Sequence, residues 1–425
     1  MRIIVYPHDL FVGGSQINAI DLAAAVRDLG HQVCVYGIPG PLVEHVQARG
    51  LSFVAAPSSP RRPSPQRIAH LARLARRDQV DVIHGYEWPP CLDAYFGAHL
   101  VGGVGLLCTV LSMAVSPLVP RSIPLIMGTA ELGRTARTDG FADVTVIEPP
   151  IDTVSDHPGI DGGGVRAAYG VGPSAELVVS VSRLAIELKL DALERAIDAV
   201  ALLAEHRPIR LLIVGEGEAQ SHLRARAGAV NARRGREVVT LVGQQLDPRP
   251  FYAAADVVVA MGSSALRAMS IGRPVVVQGE RGFSEVCEPD TSPMFLRNGF
   301  WGIGGDEPDA LRLAGHIQRL LDDAELRASL GAFGRTLVVE RFDLRTAAQK
   351  LLVRYEDLAR RSTPRVARDA AVTAVRAGRA ELRLHDPRRK RARSAHEAAR
   401  LAAAAVPGRS VQMVGRRRVD LGAAS

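Results

Sequence analysis

The sequence predicts an α/β protein made of two Rossmann-like domains in tandem, with a cleft between them. Three observations lead there. Short apolar, β-rich runs alternate with amphipathic helical text, the pattern of parallel sheets covered on both faces. The alternation lapses between Asp152 and Pro173, where the text reads SDHPGIDGGGVRAAYGVGP, and then restarts. In the second half, successive strands end at Ser182, Gly215, Gly243, Gly262 and Gly279. Small residues at the carboxyl ends of parallel strands form the rim on which ligands bind in open α/β sheets.

Taken in order, residues 2–6 (RIIVY) form a first strand, and the loop PHDLFVGGS leads to a helix from about Gln16 to Leu29, closed by Gly30. Strand text recurs at 31–36, 81–84, 106–111, 123–127 and 144–147, completing a first domain over 1–155. Residues 156–173 are the linker. The second domain, 174–345, alternates strands at 177–182, 210–214, 238–242, 257–261 and 274–277 with helices at 191–204, 219–233 and 308–322. A C-terminal helix is expected over 346–362. Beyond it, 363–425 is Ala/Arg-rich, contains Pro364, Pro387 and Pro407, and reads as a disordered or partly helical basic tail.

The chain has 425 residues, 47% of them hydrophobic, enough for two cores. Its net charge of +8 belongs to the tail: from Arg361 to Ser425 there are 16 Lys or Arg against 5 Asp or Glu. That net of +11 leaves residues 1–360 at −3. Lys189, Lys350 and Lys390 are the only lysines, so the basic character is arginine usage and no specific nucleic-acid partner is expected. Cys34, Cys91, Cys108 and Cys287 are scattered and read as reduced thiols of a cytoplasmic protein, without metal-ligand spacing. The uncharged run Leu100–Pro120 is long enough to span a bilayer, but its glycines and prolines fit a buried parallel strand better.

Chemistry concentrates in a few places. Gly13-Gly14, between the first strand and first helix, suits either a tight turn or a phosphate-facing loop, and lacks dinucleotide-fingerprint spacing. Arg183 and Lys189 share the loop after the first strand of the second domain, where two cations suit a diphosphate, or Arg183 pairs with Glu187. Asp256–Glu285 reads as strand, small-residue turn, helix and strand, with Ser263 or Ser264 as N-cap and Gly272 at the helix end. Its first free amides can meet an anion. The basic helix in Arg61–Arg77 packs on the core or docks on a membrane surface.

These pieces, in this order, resemble the retaining GT-B glycosyltransferases of family 4. The resemblance runs over about 1–360 through GGSQINAIDLAAAVRDLGHQVCVYG, VDVIHGYEW, VIEPPIDT, VSVSRLAIELKLDALERAIDAV, LLIVGEGEAQSHLRARA, VTLVGQQLDPRPFYAAADVVVAMG and ALRAMSIGRPVVVQGERGFSE. It implies a GT-B fold and transfer of a hexose-type sugar from a nucleotide-diphosphate donor with retention. Gly13, Gly14, Arg183, Lys189, Ser264, Ala265, Leu266 and Arg267 would line the diphosphate and sugar. Gly215, Glu216, Gly243 and Gln244 would frame the base. The acceptor (lipid, glycan or small molecule) would enter from the first domain, at the inner face of a membrane where that contact exists. No cofactor and no metal are expected, because cations and helix amides neutralise the diphosphate.

Two departures stand out. The family's Glu, seven residues, Glu pattern is not intact: its second position is Arg267, a cation that cannot accept a ribose hydrogen bond. The strand at 106–111 ends in Thr109-Val110-Leu111-Ser112, where many relatives carry a histidine. His84 and Glu87 are the nearest catalytic candidates, with a structural strand-end histidine as the other reading of His84. The alternative function is a catalytically impaired GT-B protein that binds a nucleotide sugar or serves as a partner subunit.

Overall fold

The computed structural model describes residues 1–112, 114–305, 310–360 and 367–384. The first sheet has strands β1 (Arg2–Tyr6), β2 (Gln32–Gly37), β3 (Ser52–Ala55), β4 (Val82–Tyr86), β5 (Gly105–Val110), β6 (Leu125–Met127) and β7 (Val144–Val146). Its helices are α1 (Gly14–Asp28), α2 (Val43–Ala48), α3 (Pro65–Arg77), α4 (Trp88–Ala94), α5 (Leu100–Gly102) and α6 (Ala130–Thr138), with a π-turn at Tyr95–His99 between α4 and α5. The strand order is β3-β2-β1-β4-β5-β6-β7, all parallel.

After α7 (Gly163–Ala168) the second sheet takes β8 (Glu176–Val181), β9 (Ile209–Val214), β10 (Val239–Gly243), β11 (Val257–Ala260), β12 (Val275–Gln278) and β13 (Ser284–Val286). Between them run α8 (Leu190–Leu203), α9 (Gln220–Arg234), α10 (Arg249–Ala254) and α11 (Ser263–Ser270). The order is β10-β9-β8-β11-β12-β13, parallel except for β13. The chain continues through α12 (Ser292–Asn298), α13 (Ala310–Asp322), α14 (Ala324–Arg341), α15 (Leu344–Arg360) and α16 (Ala367–Leu384).

In each sheet the strand order reverses once, between β1 and β4 and between β8 and β11. Crevices at such points are where doubly wound sheets receive ligands. The predicted strands all form. Two were not predicted: β3, a four-residue edge, and β13, an antiparallel strand of three. The run Leu100–Pro120 becomes α5, the fully buried β5 and a loop. Among the described residues no helix is long and apolar enough to cross a membrane.

The last long helices divide between the two sheets. α14 lies on α11, where Gly331 and Gly334 let it approach the Gly272 carbonyl and Met269. α15 returns to the first domain, burying Leu344, Ala348, Leu351 and Tyr355 in one cluster with Ile3, Val5, Ile20 and Leu107. The two crossings run side by side: Ile151 donates to Phe342 O at 2.8 Å, and Leu344 donates to Ile151 O at 3.0 Å. Residues 361–362 of the predicted C-terminal helix, and 363–366 and 385–425 of the predicted tail, lie outside the described residues.

Candidate active site

Two loops of the second domain are locked together before any ligand is considered. Gly215 has φ +140°, and a Cβ there would come within 1.9 Å of the Ser182 carbonyl. At Gly217 the same atom would meet the Leu184 carbonyl at 2.3 Å, so both positions exclude side chains. The close approach is sealed by Leu184 N donating to Glu216 O at 2.8 Å and Gly215 N donating to Gly243 O at 2.8 Å. Gln244 N lies 3.5 Å from the Glu216 carboxylate. Gly215, Glu216, Gly243 and Gln244 therefore form one continuous rim next to the loop that carries Arg183 and Lys189.

Arg183 is exposed and Lys189, the N-cap of α8, is half-buried. Among the described residues neither cationic head group has a hydrogen-bond or ion-pair partner, so the expected alternative pairing of Arg183 with Glu187 does not form. Burial, with the Arg183 charge added, pushes the Lys189 ammonium down to about 8.

Across the switch point, α11 starts from Gly262, whose φ of +60° turns the chain sharply out of β11. The expected serine N-cap is absent, because Ser263 is already helical and no side chain caps the end. Ser264 Oγ instead donates to Val181 O at 2.7 Å and meets Tyr252 OH at 2.8 Å, tying α11 to the end of β8. The buried Ala265 and Leu266 amides both turn back to Gly262 O. The outward amides are those of Ser263 and Ser264, one residue earlier than the resemblance implies.

Arg267 points elsewhere. Its guanidinium lies 3.5 Å from Asp21 on α1 and 3.8 Å from Asp156 in the linker. Arg49 joins Asp21 at 3.0 Å and Asp152 at 3.1 Å. The substitution thus supplies an ion network between α11, α1 and the linker. Asp156 is 1% exposed, one of its oxygens has no hydrogen bond, and burial pushes its carboxyl up to about 6.

On the first domain, Gly14 faces α11: a Cβ there would stand 3.5 Å from Ser263 Oγ. Gln16 covers Gly13, its Oε1 within 2.5 Å of where a Cβ would be. Gln16 Nε2 donates to Asp9 Oδ1 at 3.0 Å, and Asp9 Oδ2 pairs with His8 Nε2 at 3.0 Å. Burial alone would raise the Asp9 carboxyl, but His8, the Phe11 amide and Gln16 together hold it below its usual range. His8, Asp9 and Gln16 went unnoticed in the sequence, although PHD stands three residues before the glycine pair in the same loop.

The two predicted catalytic residues have other duties. His84 is 1% exposed, and both ring nitrogens are engaged at 2.6 Å, with Tyr355 OH and Thr109 Oγ1. Burial lowers its pKa to about 3, so it stays neutral inside the sheet as a structural strand-end histidine. Glu87, at φ +67°, accepts from Leu111 N at 2.9 Å, Ser112 N at 3.1 Å and Ser112 Oγ at 2.9 Å. Its carboxylate clamps the end of β5. Among the described residues no group of three or more His, Cys, Asp or Glu is placed to hold a metal ion.

This geometry has close counterparts. The family profile described as Glycosyl transferases group 1 matches residues 175–323, and that of Glycosyltransferase Family 4 matches residues 12–122. The chain is 31% identical over 296 residues to the lipopolysaccharide core biosynthesis glycosyltransferase LpsE of Rhizobium meliloti, spanning 65% of this chain and 75% of that one. Among solved structures, a glycosyltransferase of Rickettsia africae superposes with a TM-score of 0.68 at 15% identity, over 85% of this chain and 99% of its own. HepE of Anabaena, in complex with UDP-glucose, gives 0.66 at 19% identity, over 84% and 100%. The profile matches and the LpsE identity, on this pair of sheets, show that the chain belongs to the group 1, family 4 glycosyltransferases and has the GT-B fold.

Proposed function

We propose that the protein transfers a hexose-type sugar from a nucleotide-diphosphate donor to a hydroxyl-bearing acceptor, with retention at the anomeric carbon. The observation that carries this is the unpaired Arg183 and Lys189 beside the outward amides of Ser263 and Ser264. A diphosphate placed there meets two cations and a helix end, and these stabilise the charge that develops on the leaving phosphate. The first domain offers no free carboxylate at that position, since Glu87 and Asp9 are both committed to hydrogen bonds. A route in which the leaving phosphate oxygen takes the acceptor proton fits this inventory, with positioning as the main contribution of the protein. HepE is the relative whose complex contains UDP-glucose, which makes a uridine donor the first to try.

The acceptor enters along the first-domain loop of His8, Asp9 and Phe11, the last 58% exposed. Membrane contact, where it occurs, is electrostatic: α3 turns Leu71, Leu74 and Ala75 into the core and leaves Arg73, Arg76 and Arg77 outside. The impaired-subunit alternative rested on Arg267 and on the missing carboxylate; the Asp21 and Asp156 partners account for Arg267, and a route led by the leaving phosphate does without the carboxylate.

Thermal unfolding with UDP, GDP, ADP and their glucose conjugates tests the reading. At about a hundred times its dissociation constant, a ligand adds roughly 2.7 kcal/mol to stability. One nucleotide should raise the Tm of wild type and fail to raise that of Arg183→Ala. Equal shifts in both proteins, or none in wild type, would remove the donor assignment.

A further inference from the structure

A small pocket lies between the carboxyl ends of β8, β11 and β12, beside the first turn of α8. Ser180, Ser182, Lys189, Met261 and Gln278 are among its lining residues. Gln278 is 2% exposed, and its orientation is fixed by chemistry. Arg195, also 2% exposed, donates Nε and Nη2 to Gln278 Oε1 at 3.1 and 3.0 Å. A guanidinium has no acceptor, so the carboxamide must turn its oxygen to Arg195 and its NH2 away. Arg195 cannot drift, because Asp191 Oδ2, Gly279 O and Phe283 O also accept from it.

The Gln278 Nε2 so aimed has no hydrogen-bond partner. A buried NH2 left without an acceptor is costly. Lys189 also lines the pocket, beside the Ser180 and Ser182 hydroxyls, and its ammonium is equally without an acceptor among the described residues. Two unsatisfied donors, one of them cationic, call for a guest that is acceptor-only and negatively charged. A phosphate oxygen meets both demands; a sugar hydroxyl or a base carbonyl can accept from the amide but brings no charge for Lys189.

We propose that Gln278 is a further binding residue of the donor site, donating its side-chain amide to the phosphate group that Lys189 neutralises, with Arg195 holding it in register. The inference rests on the nucleotide-diphosphate reading above. In it, Arg195 never touches the ligand; it is a positioning residue that decides which end of Gln278 the ligand meets.

Gln278→Glu separates this role from a merely structural one. Glutamate keeps the oxygen that Arg195 needs, so the hub and the Tm survive. It replaces the donor with a second oxygen, which repels phosphate and pairs with Lys189. Titration calorimetry with UDP should show affinity falling roughly 10- to 100-fold, the worth of one charge-assisted hydrogen bond. Unchanged affinity in a folded Gln278→Glu would overturn the inference and leave the donor reading standing. Failure of wild type to bind UDP or any other nucleoside diphosphate would overturn both. A crystal of wild type soaked with UDP gives an answer that does not depend on the variant folding. Nε2 within hydrogen-bond distance of a phosphate oxygen supports the inference, and a water in that place, with phosphate elsewhere, sinks it.

Discussion

The two switch points of this molecule have the same topology and opposite electrostatics. At the first, between β1 and β4, most polar groups are satisfied by one another: His84 with Thr109 and Tyr355, Glu87 with the end of β5, Asp9 with Gln16 and His8, although His8 Nδ1 has no partner among the described residues. At the second, between β8 and β11, several groups have no partner among the described residues: Arg183, Lys189, the amides of Ser263 and Ser264, and Gln278 Nε2. Buried polar groups are nearly always paired, so a cluster of unpaired donors marks where a ligand supplies the acceptors. The first rim is largely satisfied within itself and shapes one side of the cleft. In the proposed function an anion completes the second.

The largest test of that contrast is His84→Ala. It leaves the Tyr355 and Thr109 hydroxyls buried without partners and opens a cavity under α15, a loss of about 3–5 kcal/mol. Urea unfolding should show it, while the affinity of the folded variant for nucleotide stays at the wild-type value. A variant of wild-type stability with lost activity would return His84 to the catalytic candidates.

Why the fold was legible and the site only partly so follows from particular residues. Parallel strands buried on both faces, such as VVVA at β11 and ELVVSV at β8, announce themselves as apolar runs. β3 and β13 are short sheet edges and carry no such signal. The shared loop of Arg183 and Lys189 was legible because it follows a recognisable strand end; what the two cations bind is a proposal. The roles of His84 and Arg267 depend on partners far along the chain, Tyr355 for one and Asp21 for the other, which no local pattern reveals. Gln278 looks like an ordinary strand end until Arg195, 83 residues earlier, fixes which way its amide points.

Arg267→Ala comes next in size. It removes the cation between Asp21 and Asp156 and leaves Asp156, inside the linker, with a poorly compensated charge. About 2–3 kcal/mol of stability should go, less than for a fully buried pair because Arg267 is partly exposed. UDP affinity at saturating stability should change little, since the guanidinium faces α1 and the linker. A loss of affinity larger than the loss of stability would place Arg267 on the phosphate instead and blur the distinction between the two rims.

The smallest effect is a pH dependence whose sign distinguishes the two kinds of buried carboxyl. Burial raises Asp156 to about 6, with Arg267 and Arg249 pulling it down and Asp152 and Asp21 pushing it up. Burial likewise raises Asp93, under α3, to about 6. A carboxyl whose folded pKa lies above its unfolded value of about 3.9 favours the fold when protonated. Its contribution is complete below about pH 4 and is lost as the pH rises through about 6. Asp9 and Asp152 are lowered, so theirs is present above the unfolded pKa and disappears as the pH falls through the folded one. For Asp156 the raised value corresponds to about 2 kcal/mol at roughly 1.4 kcal/mol per pH unit, with allowance for local relaxation. Between pH 4 and 7 this runs against buried His84, whose lowered pKa favours the fold at higher pH, so the Asp156 part is read as a difference: unfolding free energy should rise more steeply with pH for Asp156→Asn than for wild type. It should rise less steeply for Arg267→Ala, because removing the guanidinium lets the Asp156 pKa go up further. Equal slopes in all three would mean that water reaches the linker and that Arg267 is not what holds the Asp156 charge there.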